Sequence, residues 1–96
     1  MTNVQRYFNA LTDKRKRRFL EYGLLRRLLL YNGISVSDAA KLMQMSIPQC
    51  KEICGRRNPF IKHSIRQLIN LKRILNIDKP TSDFLNEIFE LSQLHL

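Results

Sequence analysis

Residues 35–57, SVSDAAKLMQMSIPQCKEICGRR, contain the pattern around which the rest of the chain is organised. Ser35 is suited to cap a short helix, and Asp38 three residues later completes an approximate capping box. Ser46 and Gln49 repeat that spacing and cap a second helix. Two capped helices joined by a few residues form a helix-turn-helix, so this stretch predicts that motif.

The apolar positions predict how these helices pack. Ala39 and Ala40 are small enough to let a neighbouring helix approach closely. The second helix has Gly55 at its end. Its predicted inward stripe consists of Ile47, Cys50, Ile53 and Cys54.

With its continuation GRRNPFIKHSIRQLINLKRILNI, residues 55–77, this stretch resembles the helix-turn-helix of the Cro and phage-repressor family. The resemblance covers roughly residues 20–77 and implies a DNA-binding domain. The chain departs from the family at Gln44, where Gly is usual, and at the apolar starts of both helices. The matching core residues are Ala40, Met43, Met45, Cys50 and Ile53, and residues 55–59 match the following basic turn.

The remaining sequence predicts an all-α protein, a compact bundle of about five to six helices. Apolar spacing indicates helices over residues 3–11, from Asp13 to about Tyr31, over 63–76 and over 81–95. The predicted apolar surface of the 63–76 helix consists of Ile65, Leu68, Ile69, Leu71, Ile74 and Leu75. We expect a helix-turn-helix domain with an N-terminal helical extension over residues 1–80, followed by an acidic amphipathic helix over 81–96, capped by Thr81 or Ser82.

Charge is unevenly distributed along the chain. Residues 1–80 contain all seventeen Lys and Arg and five acids, a net charge of +12, whereas 81–96 contain three acids and no base, a net charge of −3. A basic body favours a polyanionic partner, nucleic acid being the commonest, although solubility alone is the simpler reading. The basic run Lys14–Arg18 favours contact with phosphates.

The sequence gives little support for an enzyme, a metal-binding protein or a membrane protein. The sequence has no Gly-rich phosphate loop and no nucleophile placed with a His and an acid, so we expect neither catalysis nor a cofactor. Cys50 and Cys54 are spaced i, i+4 on one helix, where a disulfide is disfavoured; we expect buried apolar residues rather than metal ligands. Without a secretory signal or a membrane-length apolar run, a cytoplasmic location is expected.

The helix-turn-helix interpretation assigns roles to individual residues. The N-terminal part of the second helix would meet base edges in the major groove of double-stranded DNA. The predicted base contacts are Ser46, Gln49, Glu52 and Arg56. The predicted phosphate contacts are Arg15, Arg17, Arg18, Lys51, Arg57, Lys62 and Arg66.

Two questions about partners stay open in the sequence. The protein is either a sequence-specific transcriptional regulator or a protein-interaction regulator that keeps the fold without reading bases. Ile47, Pro48 and Glu52 at the reading positions favour the second alternative. The C-terminal helix either packs on its own core or forms a homodimer. For the dimer, the predicted interface consists of Phe84, Leu85, Ile88 and Phe89.

Overall fold

The chain folds into short helices with well-defined ends. A computed structural model describes residues 1–55 and 64–95, and within these ranges it contains seven helices and no strand. The all-α prediction is confirmed, whereas the predicted number of five to six helices is wrong. The helices are α1 (Asn3–Asn9), α2 (Asp13–Glu21), α3 (Leu24–Tyr31), α4 (Val36–Leu42), α5 (Ile47–Gly55), α6 (Ile65–Ile74) and α7 (Thr81–Gln93).

The additional helix arises from a break at Gly23. The sequence predicted one helix from Asp13 to about Tyr31, but Tyr22 and Gly23 adopt extended backbone conformations and separate α2 from α3. Glycine loses more conformational entropy in a helix than other residues do, so a break is favoured there. The break allows α2 and α3 to point in different directions.

Side-chain caps begin most of the helices, including the predicted cap at Ser35. Thr2, Thr12, Ser35 and Ser64 each accept a hydrogen bond from the backbone N–H three residues later. Helices α3 and α7 are the exceptions, because Gly23 and Pro80 occupy their N-cap positions and make no side-chain cap. The predicted capping of α7 by Thr81 or Ser82 is therefore wrong.

Three helices end in the same way, with one residue in the left-handed backbone region. These residues are Gly33 after α3, Gln44 after α4 and Asn76 after α6, with φ of 70°, 55° and 54°. In each case the next residue's N–H donates to a carbonyl five residues earlier, the pattern of a Schellman motif. The three turns therefore share one backbone geometry, although only one of them has the glycine that favours it.

Helix α3 lies at the centre of the bundle and contacts α4, α5 and α7, while α1 also packs on α7. Its four leucines, at positions 24, 25, 28 and 29, are buried. Helix α6 packs chiefly against α7. Its predicted wide apolar surface is wrong, since only Leu71 and the capping residue Leu75 are buried, and Ile65 is 64% exposed.

Helix α7 shares the core of the preceding helices. Phe84, Ile88 and Leu91 are buried in the same cluster as Val4 of α1 and the leucines of α3. None of the described helices combines the length and the apolar character needed to span a membrane.

Candidate nucleic-acid interface

Helices α4 and α5 pack against each other and against α3, joined by a turn centred on Gln44. The N–H of Met45 donates to the Ala40 carbonyl at 3.0 Å, and the N–H of Gln44 donates to the Lys41 carbonyl at 3.2 Å. Gln44 thus takes the left-handed conformation usual for glycine. The departure noted in the sequence costs conformational energy but leaves a tight turn.

Helix α5 divides into an inner and an outer face. Cys50 and Cys54 are buried and Ile53 is partly buried, as predicted. Ile47 was predicted to face inward but is 43% exposed, because it occupies the first turn, beyond the edge of the contact with α4 and α3. The other exposed residues of α5 are Pro48, Gln49, Lys51, Glu52 and Gly55.

Gln49 has a structural role that bears on its predicted contact with a base. Its side-chain oxygen accepts hydrogen bonds from the Ser46 N–H and the Ser46 hydroxyl, both at 3.1 Å, while the Ser46 hydroxyl accepts from the Gln49 N–H. A bidentate pair with adenine needs both the amide oxygen and the amide nitrogen of Gln. In this conformation only the nitrogen is available to a base.

The two cysteines are free thiols on the inner face of α5. Burial, with a smaller contribution from the adjacent Cys50 thiol, raises the pKa of Cys54 to about 11, and the nearby charge of Arg26 acts in the opposite direction. A thiol with so high a pKa stays protonated at neutral pH and is a poor nucleophile and metal ligand. Within residues 1–55 and 64–95, no three His, Cys, Asp or Glu residues are grouped as a metal site.

The basic run on α2 is mostly exposed. Arg15, Arg17 and Arg18, the predicted phosphate contacts, all lie at the surface. Lys16 is partly buried instead, with its ammonium 5.9 Å from the centre of the Phe8 ring. Most of the run is thus available to an anionic partner.

Arg26 connects this basic surface with α5. Its guanidinium lies 5.7 Å from the centre of the Tyr22 ring at the end of α2, and its charge acts on the thiol of Cys54 in α5. Lys51 of α5 and Arg66 of α6 are also exposed. Cations that are exposed or partly exposed therefore occur on α2, α3, α5 and α6. Three predicted contacts, Arg56, Arg57 and Lys62, lie outside the described residues.

Two cations serve the fold, and sequence reasoning did not identify either role. Arg27 donates from Nη1 to the Leu91 carbonyl at 2.7 Å and from Nη2 to the Leu20 carbonyl at 2.8 Å, joining the last turns of α7 and α2. Burial lowers the pKa of Arg27. An arginine within the leucine-rich sequence of α3 is the sequence signal for such a role, and Arg26 beside it shares that signal.

Lys79 is the second of these cations. It donates to the Asn32 side-chain oxygen at 2.8 Å and to Glu87 at 2.7 Å, and it lies 5.2 Å from the centre of the Tyr31 ring. Both side chains of the ion pair are largely buried. Lys79 therefore fixes the connection between α6 and α7 against the end of α3.

The predicted dimer surface on α7 is smaller than the sequence suggested. Phe84 is 0% exposed and Ile88 is also buried, since both pack within the chain's own core. Leu85 is partly buried, and Phe89 is 65% exposed. Only Phe89, with the edge of Leu85, remains available to a second copy.

Comparison of the chain with protein-family models, with curated proteins and with solved structures gives no match. The candidate interface is thus defined by its own geometry and charge: an exposed polar face on α5, a tight turn before it, and the basic surface of α2 and Arg26.

Proposed function

We propose that this chain is a small, non-enzymatic, cytoplasmic transcriptional regulator that binds double-stranded DNA through a helix-turn-helix formed by α4 and α5. The observation that carries the proposal is the two-faced character of α5, which packs its cysteines inward and exposes Gln49, Lys51 and Glu52. A recognition helix needs such an exposed polar face to enter the major groove. The surrounding positive charge would attract the phosphates on either side.

Selection of random DNA duplexes by the purified protein tests sequence-specific binding. The proposal expects one enriched motif, because side chains of α5 would discriminate base edges. Recovery of duplexes with no common motif, at any salt concentration, would leave only non-specific attraction and would contradict base readout.

A pair of variants tests whether α5 is the reading helix. Gln49→Ala should weaken binding to the selected site by about 1 kcal/mol, the loss of one hydrogen bond from the amide nitrogen, and hardly change binding to random DNA. Gln67→Ala is the matched control, because Gln67 forms the same capping box with Ser64 at the start of α6. If the two substitutions change the affinity for the selected site by the same amount, loss of a capping box explains the change. Gln49 then does not read DNA.

The basic run provides an independent test. Replacement of Arg15, Arg17 and Arg18 by Ser should weaken specific and non-specific binding alike, since these exposed cations would neutralise phosphates. The slope of log affinity against log salt should become shallower by about 2 units, because counterions are released at each phosphate contact. An unchanged slope would remove α2 from the interface.

A homodimer belongs to the same proposal, since helix-turn-helix proteins commonly read half-sites about 34 Å apart. The exposed ring of Phe89 on α7 supports it, although this surface is small. Phe89→Asp should yield a folded monomer by sedimentation. A wild-type chain that is already monomeric at high concentration would contradict the dimer and leave DNA binding by single copies.

A second candidate function is supported by Ile47. Its 43% exposure places an apolar side chain beside Pro48 at the N-terminal end of α5, where DNA-reading helices usually present polar groups. A protein-interaction module that does not read bases would use this apolar end as a contact. It would yield no enriched DNA motif, and Ile47→Ser would weaken partner binding.

A further inference from the structure

A cavity of about 250 Å³ opens at the surface between α1, α2 and α3, and no residue of α5 lines it. Three aromatic rings line it, those of Tyr7, Phe19 and Tyr22, together with Leu11. Arg15 and Arg18 of α2 complete the lining, and both are exposed. The cavity thus has partly or fully buried aromatic walls and a cationic rim.

The walls are held in place by contacts among the rings. Tyr7 lies 5.8 Å from Phe19 and 5.2 Å from Tyr31, measured between ring centres, and the second pair meets edge to face. Phe19 is buried and also meets Phe8 at 6.1 Å. Such packed rings lose little freedom when a ligand binds, so the site is formed in advance.

The rim concentrates positive charge. Arg15 and Arg18 are spaced i, i+3 and are neighbours on the surface of α2. Among residues 1–55 and 64–95, neither guanidinium forms an ion pair with an acid. Arg15 and Tyr7 line the same cavity, and the charge of Arg15 partly opposes the effect of burial, which raises the pKa of the Tyr7 hydroxyl.

These features specify a chemical class of ligand. A flat apolar ring can pack against aromatic side chains that line a cavity, and a carboxylate on that ring matches the paired donors of an arginine. The cavity is smaller than the usual range of about 300–1,000 Å³ for drug-sized ligands, so only a small molecule fits. We propose that the cavity binds a small planar aromatic carboxylate, held by Arg15 and Arg18.

Occupation of the cavity would regulate the proposed DNA binding, and this part of the inference rests on that function. Arg15 and Arg18 are two of the exposed cations assigned to DNA phosphates. A carboxylate bound between them neutralises part of their charge and occupies their donors. The ligand should therefore lower affinity for DNA, on specific and random sites alike.

Benzoate is the probe, with benzamide as the neutral molecule of the same shape and acetate as the anion without a ring. Binding is followed by nuclear magnetic resonance of the Tyr7 and Tyr22 ring protons in the full chain. Benzoate should shift these signals saturably with a Kd of about 1 mM or lower. It should bind about tenfold more tightly than either control compound. Equal affinities for benzoate and benzamide would overturn the proposal.

A matched pair of variants assigns the rim. Arg15→Gln should weaken benzoate binding about tenfold, through loss of a charge-assisted hydrogen bond. Lys14→Gln removes one exposed cation from the same helix, outside the cavity, and should leave the Kd unchanged. Circular dichroism confirms that both variants fold, as exposed positions should. Equal effects of the two substitutions on the Kd for benzoate would mean that general electrostatic attraction holds benzoate. That result would overturn the proposal.

The regulatory part is tested by titrating benzoate into the complex with DNA. Benzoate should raise the apparent Kd of the wild-type protein for DNA, and benzamide should not. In the Arg15→Gln variant, benzoate should raise this Kd by less. Benzoate binding without any change in DNA affinity would overturn the regulatory part. Failure to bind DNA while benzoate still binds would contradict the proposed function alone, because the cavity is assayed without DNA.

Discussion

Helices α3 and α6 have similar sequence patterns and very different surroundings. Both alternate leucine or isoleucine with arginine or lysine, LLRRLLLY in α3 and IRQLINLKRI in α6. Helix α3 buries four leucines between three neighbouring helices, whereas α6 buries Leu71 and leaves Ile69 39% exposed. An amphipathic pattern therefore predicts a helix and its apolar face, but not how many partners cover that face.

The largest expected difference between these helices concerns core packing. Leu28→Ala in α3 should lower the free energy of unfolding by about 3 kcal/mol, since Leu28 is fully buried and the substitution leaves a cavity. Ile69→Ala in α6 should cost less than about 1 kcal/mol, because much of that side chain is already in water. Urea unfolding followed by far-ultraviolet circular dichroism measures both values. Similar losses would mean that α6 is buried in solution.

Substitution of an arginine should likewise cost more stability in α3 than in α6. Arg27→Ala leaves the Leu20 and Leu91 carbonyls without their donor and should cost about 2 kcal/mol. Arg66→Ala, on the exposed face of α6, should change stability by no more than about 0.5 kcal/mol. Thermal and urea unfolding of both variants test the contrast. A neutral effect of Arg27→Ala would show that water replaces the guanidinium at no cost.

A smaller effect is expected where α6 connects to the rest of the bundle. Lys79→Met keeps the aliphatic stem but removes the hydrogen bonds to Asn32 and Glu87, and should cost about 1 kcal/mol. Lys72→Met within α6 is the control, and it should have little effect. The unfolding midpoints of the two variants test this prediction. Equal midpoints would mean that the contacts of Lys79 do not stabilise the fold.

Effects of similar or smaller size are expected at the ends of the two helices. Gly33→Ala after α3 should cost about 1 kcal/mol, because φ is 70° while no atom lies within 4 Å of the added Cβ. Asn76→Gly after α6 should change stability by less than about 0.5 kcal/mol, since asparagine tolerates the left-handed region. Calorimetric melting temperatures resolve such differences. A neutral Gly33→Ala would show that this turn relaxes.

Local signals in the sequence predicted local structure well. The caps at Ser35 and Ser46 depend on residues three positions apart, and the structure contains both. The break at Gly23 was missed because the apolar spacing continues across it. Periodicity alone does not report the change of direction that tertiary packing imposes.

Burial depends on distant parts of the chain and was harder to predict. The sequence assigned Phe84 and Ile88 to a dimer, but α7 uses them to cover α1 and α3. It also placed Ile47 inward, because a helical wheel does not show where a neighbouring helix ends. The roles of Arg27 and Lys79 require partners 64 and 47 residues away, and no pattern in their own helices identifies those partners.

The packing of α7 on α1 and α3 has a consequence for the protein's synthesis. Translation at about 5–20 residues per second exposes the leucines of α3 seconds before Phe84 and Leu91 exist. During that interval the nascent chain exposes apolar side chains that the complete fold buries, a surface of the kind that chaperones recognise. A message truncated ahead of α7 would therefore yield an aggregation-prone fragment rather than a smaller working protein.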